Sequence, residues 1–93
     1  YKMKVENMTS ARGNKVANQF IINSEEGCYF QSYNSIIVKI EGREVYLDEY
    51  YWDYSVTTGK YRNDFLGEGI AETRAKIKSG EYTLTDLNKH GGV

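Results

Sequence analysis

Side chains for nucleophilic chemistry are scarce in this chain of 93 residues, which has one cysteine, Cys28, and one histidine, His90. Cys28 falls in a predicted strand with no base near it in sequence, where a thiol usually packs as a small apolar group. His90 lies in a Gly-rich terminal segment, which is a poor place to hold a base in fixed geometry. We therefore predict that the protein is not an enzyme.

Three carboxylates cluster at Asp48, Glu49 and Asp53, which raises the question of a metal site or of glycosidase chemistry. Their spacing does not match a calcium-binding loop, which needs an oxygen ligand at every second position and a glycine. One cysteine and one histidine also exclude the ordinary zinc sites. We predict no metal and no cofactor, and we interpret the carboxylates as solvated groups at the end of a strand.

Binding is better supported, because aromatic residues make up 14% of the chain and three of them are consecutive, at Tyr50, Tyr51 and Trp52. In an extended chain Tyr50 and Trp52 point to one side and Tyr51 to the other. At least one ring is therefore exposed unless the chain kinks or a helix covers it. The alternative is that all three rings pack between the sheet and a helix.

A predicted helix after these aromatics extends the candidate surface, because Lys60, Arg62 and Asp64 fall off its apolar stripe and should face water. The predicted partner-binding residues are Tyr50, Tyr51, Trp52, Lys60, Arg62 and Asp64. Exposed Tyr and Trp side chains anchor protein partners. The same aromatics and cations can instead stack and hold the bases of single-stranded nucleic acid.

A second basic pair lies near the N-terminus, where Arg12 and Lys15 flank a turn-forming Gly-Asn pair. These two cations and the free N–H groups of the turn can contact phosphate. A solvated basic loop is the simpler interpretation, because two cations make a small electrostatic footprint. The net charge of −1, from 12 basic and 13 acidic residues, offers no global attraction to nucleic acid or to anionic membranes.

Two successive hairpins are predicted in the first half of the chain. Their strands span residues 16–23, 28–33, 36–41 and 44–48. In the third strand, alternation places Ile36, Val38 and Ile40 inward and Ile37 on the opposite face. The first residues, 1–6, form either a short strand or a frayed end.

The second half of the chain predicts the helices that cover this sheet. Apolar and aromatic side chains recur at helical spacing from residue 54 onward, at Tyr54, Thr58, Tyr61 and Phe65. Ser55 or a following threonine can cap the start of this helix, and Gly67 can end it. A second helix is predicted over residues 70–78, and residues 81–84 can form a last edge strand.

These elements predict an α+β fold: an antiparallel sheet of three to five strands, built from two successive hairpins and packed against one or two helices of the C-terminal half. We expect one domain over residues 1–93, with 1–15 an N-terminal arm that can be irregular and 89–93 a flexible tail. No apolar run approaches the ~18 residues of a membrane span, and no apolar signal region is visible. The chain is therefore interpreted as cytoplasmic.

The pattern WDYSxTTxKYxxxFL covers residues 52–66. Its defined positions are Trp52, Asp53, Tyr54, Ser55, Thr57, Thr58, Lys60, Tyr61, Phe65 and Leu66. With this pattern and flanking segments, residues 14–88 resemble an uncharacterised family of small proteins encoded by bacteriophages and related mobile elements of Firmicutes-type bacteria. The resemblance implies a genetic setting in a bacterial host and no mechanism.

Small phage accessory proteins are often stoichiometric binders that block host enzymes. The resemblance therefore favours a non-enzymatic, phage-type accessory protein that binds a macromolecular partner, such as an anti-CRISPR-like inhibitor of a host defence system. A protein is the expected partner, and no membrane association is expected. The alternative is a nucleic-acid-binding module that uses the basic and aromatic residues. The sequence leaves the identity of the partner, the oligomeric state and the strand order open.

Overall fold

One sheet runs through the protein in chain order, and two helices cover one of its faces. The structure is a computed structural model that describes residues 3–10 and 12–88. The elements of these residues are β1 (Lys4–Thr9), β2 (Lys15–Asn23), β3 (Cys28–Ser32), β4 (Ser35–Glu41), β5 (Glu44–Asp48), α1 (Val56–Leu66), α2 (Ile70–Ser79) and β6 (Tyr82–Thr85). The six strands lie in the order β1-β2-β3-β4-β5-β6. Neither helix in this part of the chain is long and apolar enough to cross a membrane.

The α+β class, both hairpins and both helices are confirmed, since β2 pairs with β3 and β4 with β5 in antiparallel fashion. The predicted sheet of three to five antiparallel strands is wrong in two respects. In the described residues the observed sheet has six strands, and its last strand, β6, runs parallel to β5. The two helices form the crossover connection that parallel neighbours require. Within the segment expected as an arm, β1 pairs with β2, whereas the predicted tail, 89–93, lies outside the described residues.

Strand β4 buries two consecutive side chains, because its pairing with β3 shifts register. Phe30 pairs with Val38 and Gln31 with Ile36, which leaves Ile37 as an extra residue between them. Such a bulge sets two residues of one strand against one of the other. Ile37 is 1% exposed and Val38 is 0% exposed. The predicted alternation is therefore wrong at this point: Ile37 belongs to the core, and Ile36 lies on the opposite face.

The core lies between the inner face of the sheet and the helices. Phe30, Val38 and Leu47 are fully buried and lie side by side across β3, β4 and β5. The ring of Phe30 stacks on that of Phe65 in α1, with 5.7 Å between the ring centroids. Ile77 of α2 packs against the same cluster. Burial of each such side chain contributes about 1.5–3 kcal/mol.

Local capping accounts for the bounds of the helices. The Ser55 side chain accepts a hydrogen bond from the backbone N–H three residues later, at 3.1 Å, which confirms the predicted start of α1. Gly67 ends α1 in the left-handed conformation, with φ of 70°. The carboxylate of Glu72 accepts a hydrogen bond from the N–H of Gly69, at 3.1 Å, and so caps the start of α2.

A buried carboxylate joins α2 to β6. The Glu68 side chain is 5% exposed and accepts hydrogen bonds from Lys76 Nζ at 2.7 Å, Tyr82 Oη at 2.9 Å and Thr73 Oγ1 at 2.6 Å. Burial by itself raises the pKa of Glu68, but these three donors outweigh it, so the pKa lies below its ordinary value. The hydrogen bond to Glu68 is the main reason that the pKa of Lys76 is raised.

Glu68→Gln is expected to lower the free energy of unfolding by about 1–3 kcal/mol near neutral pH, because buried donors lose a charged acceptor. The folded pKa of Glu68 is below the ordinary value of 4.5. The stabilisation that the ionised Glu68 side chain provides is therefore complete above pH 4.5, and it is lost as the pH falls through the folded pKa. Urea unfolding of both proteins near neutral pH and near pH 3 should show that their difference shrinks in acid. An undiminished difference would contradict this assignment.

The turn between β2 and β3 is closed against β4 at Gly27. The carbonyl oxygen of Gly27 accepts hydrogen bonds from Ser24 N at 2.9 Å and from Ser24 Oγ at 3.3 Å. A Cβ atom at position 27 would overlap the carbonyl oxygen of Ile40 and lie 3.1 Å from its carbonyl carbon. Backbone cannot move aside as a side chain can, so this position requires glycine.

We expect Gly27→Ala to lower the free energy of unfolding by about 1–3 kcal/mol or more, as overpacking against fixed atoms does. Gly59→Ala is the control, because a Cβ there meets the Arg62 guanidinium at an ordinary 3.6 Å and alanine favours a helix by up to about 1 kcal/mol. Chemical denaturation of both variants measures the contrast. Equal effects of the two substitutions would show that the packing at Gly27 is not the cause.

Candidate functional site

Four tyrosines converge at one end of the molecule and are called here the tyrosine surface: Tyr33, Tyr50, Tyr51 and Tyr54. Tyr33 follows β3, and the other three lie between β5 and α1. Tyr33 is 52% exposed, Tyr50 69% and Tyr54 70%. The rings of Tyr51 and Tyr54 meet edge to face with centroids 5.3 Å apart, and those of Tyr50 and Tyr51 are 6.4 Å apart. The surface therefore joins two separate parts of the chain.

A cleft of about 260 Å³ opens within the tyrosine surface. Its lining residues are Ser32, Tyr33, Asn34, Ser35, Ile37, Tyr51, Tyr54 and Thr58. The hydroxyl groups of Ser32 and Thr58 lie 3.0 Å apart, and both residues are 3% exposed. Among the residues that the structure describes, none that lines the cleft carries a charge, so the cleft suits an uncharged group with some hydrogen-bonding capacity.

The turn that carries Tyr50 and Tyr51 is held by Asp48, whose side chain is fully buried. Asp48 Oδ2 accepts hydrogen bonds from the N–H groups of Tyr50 at 3.1 Å and Tyr51 at 2.9 Å. Asp48 Oδ1 accepts hydrogen bonds from Leu87 N at 2.9 Å and Asn88 Nδ2 at 3.0 Å. The prediction that Asp48 is a solvated strand-end residue is wrong, because its carboxylate joins the tyrosine turn to the C-terminal segment.

Asn88 extends this connection to β4. Its side-chain oxygen accepts a hydrogen bond from Ile36 N at 2.8 Å, and its side-chain nitrogen donates to Ile36 O at 3.1 Å. The other two carboxylates of the sequence cluster do not join Asp48, since Glu49 is exposed and Asp53 pairs with arginines. Within residues 3–10 and 12–88, no three His, Cys, Asp or Glu side chains are grouped so that they could hold a metal ion.

Tyr33 has an unusual backbone conformation. Its φ is 56°, and that of Asn18 in β2 is 66°, a left-handed conformation that is uncommon for a residue as large as tyrosine. The N–H of Tyr33 donates to the carbonyl oxygen of Asn18 at 2.7 Å. Residues held in such conformations cluster at functional sites. Sequence reasoning treated Tyr33 as the end of a strand and missed its place beside Tyr51 and Tyr54.

Arg62 is buried, so the prediction that it faces water is wrong. It is 1% exposed, and its Nη1 donates to the carbonyl oxygen of Trp52 and, at 3.4 Å, to Asp53 Oδ1. Its Nη2 donates to Asn63 Oδ1 at 2.9 Å. The guanidinium carbon lies 5.3 Å from the centroid of the Trp52 ring. Arg62 follows the buried Tyr61 on the same wide helix face, and these partners offset much of the cost of burying its charge.

Of the other residues of the predicted set, Tyr50, Lys60 and Asp64 stay at the surface, whereas Tyr51 and Trp52 are half-buried. Lys60 and Asp64 are exposed and line a shallow surface on the outside of α1 with Tyr54 and Val56. Val56 is 91% exposed. This helix face therefore continues the tyrosine surface through Tyr54, while Trp52 is half-buried against the core. Tyr54 thus connects Tyr50 and Tyr51 to the outer face of α1 that carries Lys60 and Asp64, whereas the Arg62 side chain is buried.

Arg12 and Lys15 lie exposed at the connection between β1 and β2. A groove beside this connection is lined by Ser10 and, from α1 and its end, by Lys60, Asp64 and Glu68. Lys60 is the cation among these lining residues, whereas Arg12 and Lys15 do not line the groove. However, the two carboxylates of the lining oppose a bound phosphate.

Cys28 does not have the environment of a nucleophile. It is half-buried, and burial raises the pKa of its thiol above the ordinary value. A reactive cysteine requires the opposite shift, toward the thiolate. His90, the other residue considered for catalysis, lies outside the described residues.

The fold and the site define the class of this protein: a small α+β protein with an uncharged aromatic cleft at one end. The chain belongs to a family of unknown function, DUF8033, whose model matches residues 3–83. This match includes both hairpins, both helices and the whole tyrosine surface. Comparisons with curated proteins and with solved structures gave no match.

Arg62→Lys is expected to lower the free energy of unfolding by about 1–3 kcal/mol, because an ammonium group cannot reproduce the planar, forked contacts to three acceptors and the Trp52 ring. Lys60→Ala is the matched control, since an exposed position on the same helix should change stability by less than about 0.5 kcal/mol. Urea unfolding followed by the fluorescence of Trp52, the single tryptophan, measures both. Equal stability of the two variants would contradict the burial of Arg62.

Proposed function

We propose that this protein is a non-enzymatic accessory protein that binds a protein partner through the tyrosine surface and the adjoining outer face of α1. One observation carries this proposal. Among the described residues, the exposed large apolar and aromatic side chains are Met3, Val5, Tyr33, Tyr50, Tyr54, Val56 and Leu84. Four of these, Tyr33, Tyr50, Tyr54 and Val56, lie together at the end where β3 and β5 leave the sheet.

The composition of this surface favours a protein partner. Tyr side chains offer large, amphipathic contact areas and are enriched at protein interfaces. Val56 is 91% exposed, so burial in the core does not explain its apolar side chain. Lys60 and Asp64 add one charge of each sign beside this apolar centre, an arrangement that suits the polar rim of an interface.

The nucleic-acid alternative has weaker support. It drew on Arg62, whose guanidinium is buried against Trp52 and paired with Asp53. Of the cations on α1, this leaves Lys60 at the surface, beside the carboxylate of Asp64. Binding to phosphates depends on the number of cations that contact them, so the tyrosine surface favours protein over nucleic acid.

The biological setting is proposed from the resemblance to small proteins of bacteriophages and mobile elements. In that setting the protein acts in the cytoplasm of a bacterial host as a stoichiometric inhibitor, for example of a defence system. It would act by occlusion, by covering a surface that the host protein needs. The raised pKa of Cys28 supports a role that requires no nucleophile.

The test is capture of a partner from host lysate by the wild-type protein and by a Tyr54→Ser, Val56→Asp variant. Both side chains are largely exposed, and an aspartate in the first turn of a helix is favourable, so the variant should fold. We expect the wild type to retain one protein at stoichiometric yield. With that protein purified, the variant should bind at least about 30-fold more weakly, which corresponds to a loss of ~2 kcal/mol at an interface hot spot.

Leu84→Ser is the matched control, because Leu84 is an exposed apolar residue on β6 and should leave the affinity unchanged. Equal recovery by wild type and double variant would contradict the proposed surface. Titration of labelled single-stranded oligonucleotides at several salt concentrations tests the alternative. Tight binding with a steep salt dependence would favour the nucleic-acid module.

A further inference from the structure

The face of the sheet opposite the helices carries a second, unrelated groove. Its volume is about 370 Å³, and it is lined by Met3, Ile22, Ser24, Glu25, Glu26, Tyr29 and Ile36. Ile22 and Tyr29 are cross-strand neighbours on β2 and β3. The bulge in β4 turns Ile36 toward this side, so the floor of the groove is apolar and spans three strands. Here it is called the outer groove.

Among the described residues, the charged groups that line the outer groove have one sign. Glu25 and Glu26 are the charged residues of its lining, and both are exposed. Tyr29 Oη donates to Glu26 Oε1 at 3.3 Å, which directs this carboxylate along the edge of the ring. Lys39 lies 5.8 Å from the Tyr29 ring centroid and pairs with Glu41 at 3.7 Å, and it is not one of the lining residues. Within the described residues, no lysine or arginine of the lining neutralises these two carboxylates.

The turn that carries these carboxylates is rigid. Ser24 and Gly27 exchange backbone hydrogen bonds of 2.9 and 3.3 Å, and Gly27 packs directly on the backbone of β4. The acidic rim is thus held beside the apolar floor before any partner arrives. Such preorganisation lowers the entropic cost of binding.

From this geometry we infer that the outer groove docks a protein segment in which a lysine or arginine neighbours an aliphatic side chain. The aliphatic group contacts Ile22 and Ile36, and the cation meets Glu25 and Glu26. Anionic lipids and phosphates are repelled by the same rim. A symmetric dimer through this groove is disfavoured, because it would place the carboxylates of both copies in one interface, with no lysine or arginine among the described lining residues to pair with them.

The inference does not depend on the proposed function, and its test uses defined probes. Fluorescein-labelled short peptides of alternating Leu and Lys, or of alternating Leu and Glu, are titrated by anisotropy. We expect the Leu-Lys peptide to bind the wild type and the Leu-Glu peptide not to bind. The double variant Glu25→Gln, Glu26→Gln should bind the Leu-Lys peptide at least about tenfold more weakly at low salt, because surface charges are least screened when the salt concentration is low.

Three further variants separate the groove from general attraction. Glu44→Gln with Glu49→Gln removes the same charge from exposed positions elsewhere and should leave the affinity unchanged. Met3→Ser, at an exposed lining residue, should weaken binding several-fold through lost apolar contact. The Tyr54→Ser, Val56→Asp variant should bind the peptide as the wild type does. Circular dichroism confirms that each variant is folded.

Equal binding of the two peptides, or equal effects of the two glutamine pairs, would overturn the proposed specificity. Failure of the Leu-Lys peptide to bind folded wild type at low salt would overturn the docking site itself. Sedimentation equilibrium provides an independent check on the occupant. If the wild type forms a dimer, and if Glu25→Gln with Glu26→Gln changes the dissociation of that dimer, the outer groove would instead bind a second copy of the chain.

Discussion

The position of the candidate site depends on the hydrogen bonds of one buried carboxylate, that of Asp48. A charge removed from water is costly unless polar partners replace its hydration. Asp48 receives two backbone N–H groups from the turn of Tyr50 and Tyr51, and two donors from Leu87 and Asn88. Hydrogen bonds to an ionised acceptor are strong and directional. The carboxylate of Asp48, the last residue of β5, therefore positions Tyr50 and Tyr51 and holds Leu87 and Asn88 next to the sheet.

Burial of Arg62 changes the chemical character of the surface beside this turn. Its guanidinium stacks on Trp52 and binds the Trp52 carbonyl and Asp53. Arg62, which the sequence predicted to be exposed to a partner, therefore joins α1 to the preceding turn. The surface that remains is uncharged at its centre, with Tyr33 and Tyr54 around the cleft. Lys60 and Asp64 lie at its side. Such a surface suits contact with a protein better than contact with a phosphate backbone.

The arrangement of layers explains why the two proposed binding faces differ in kind. Both helices cover one face of the sheet, so the connections at its end expose the tyrosine surface, while the opposite face keeps an apolar floor without a helix over it. Ile36 contributes to that floor because the β4 bulge reverses its direction relative to simple alternation. The acidic rim at Glu25 and Glu26 distinguishes the outer groove from the uncharged cleft. The two sites can therefore be tested by separate substitutions.

Local interactions made part of this structure predictable. Strand alternation and turn residues indicated both hairpins, the Ser55 cap and Gly67 bounded α1, and consecutive aromatics pointed to Tyr50 and Tyr51. Distant contacts were not predictable, because no local pattern records them. Asp48 is buried by groups 39 and 40 residues away, Ile37 enters the core through a register shift, and β6 joins β5 only after two helices cross the sheet. The local sequence thus determined the helices, the hairpins and the presence of consecutive aromatic residues. Long-range packing determined which polar side chains are buried and which tyrosines lie side by side.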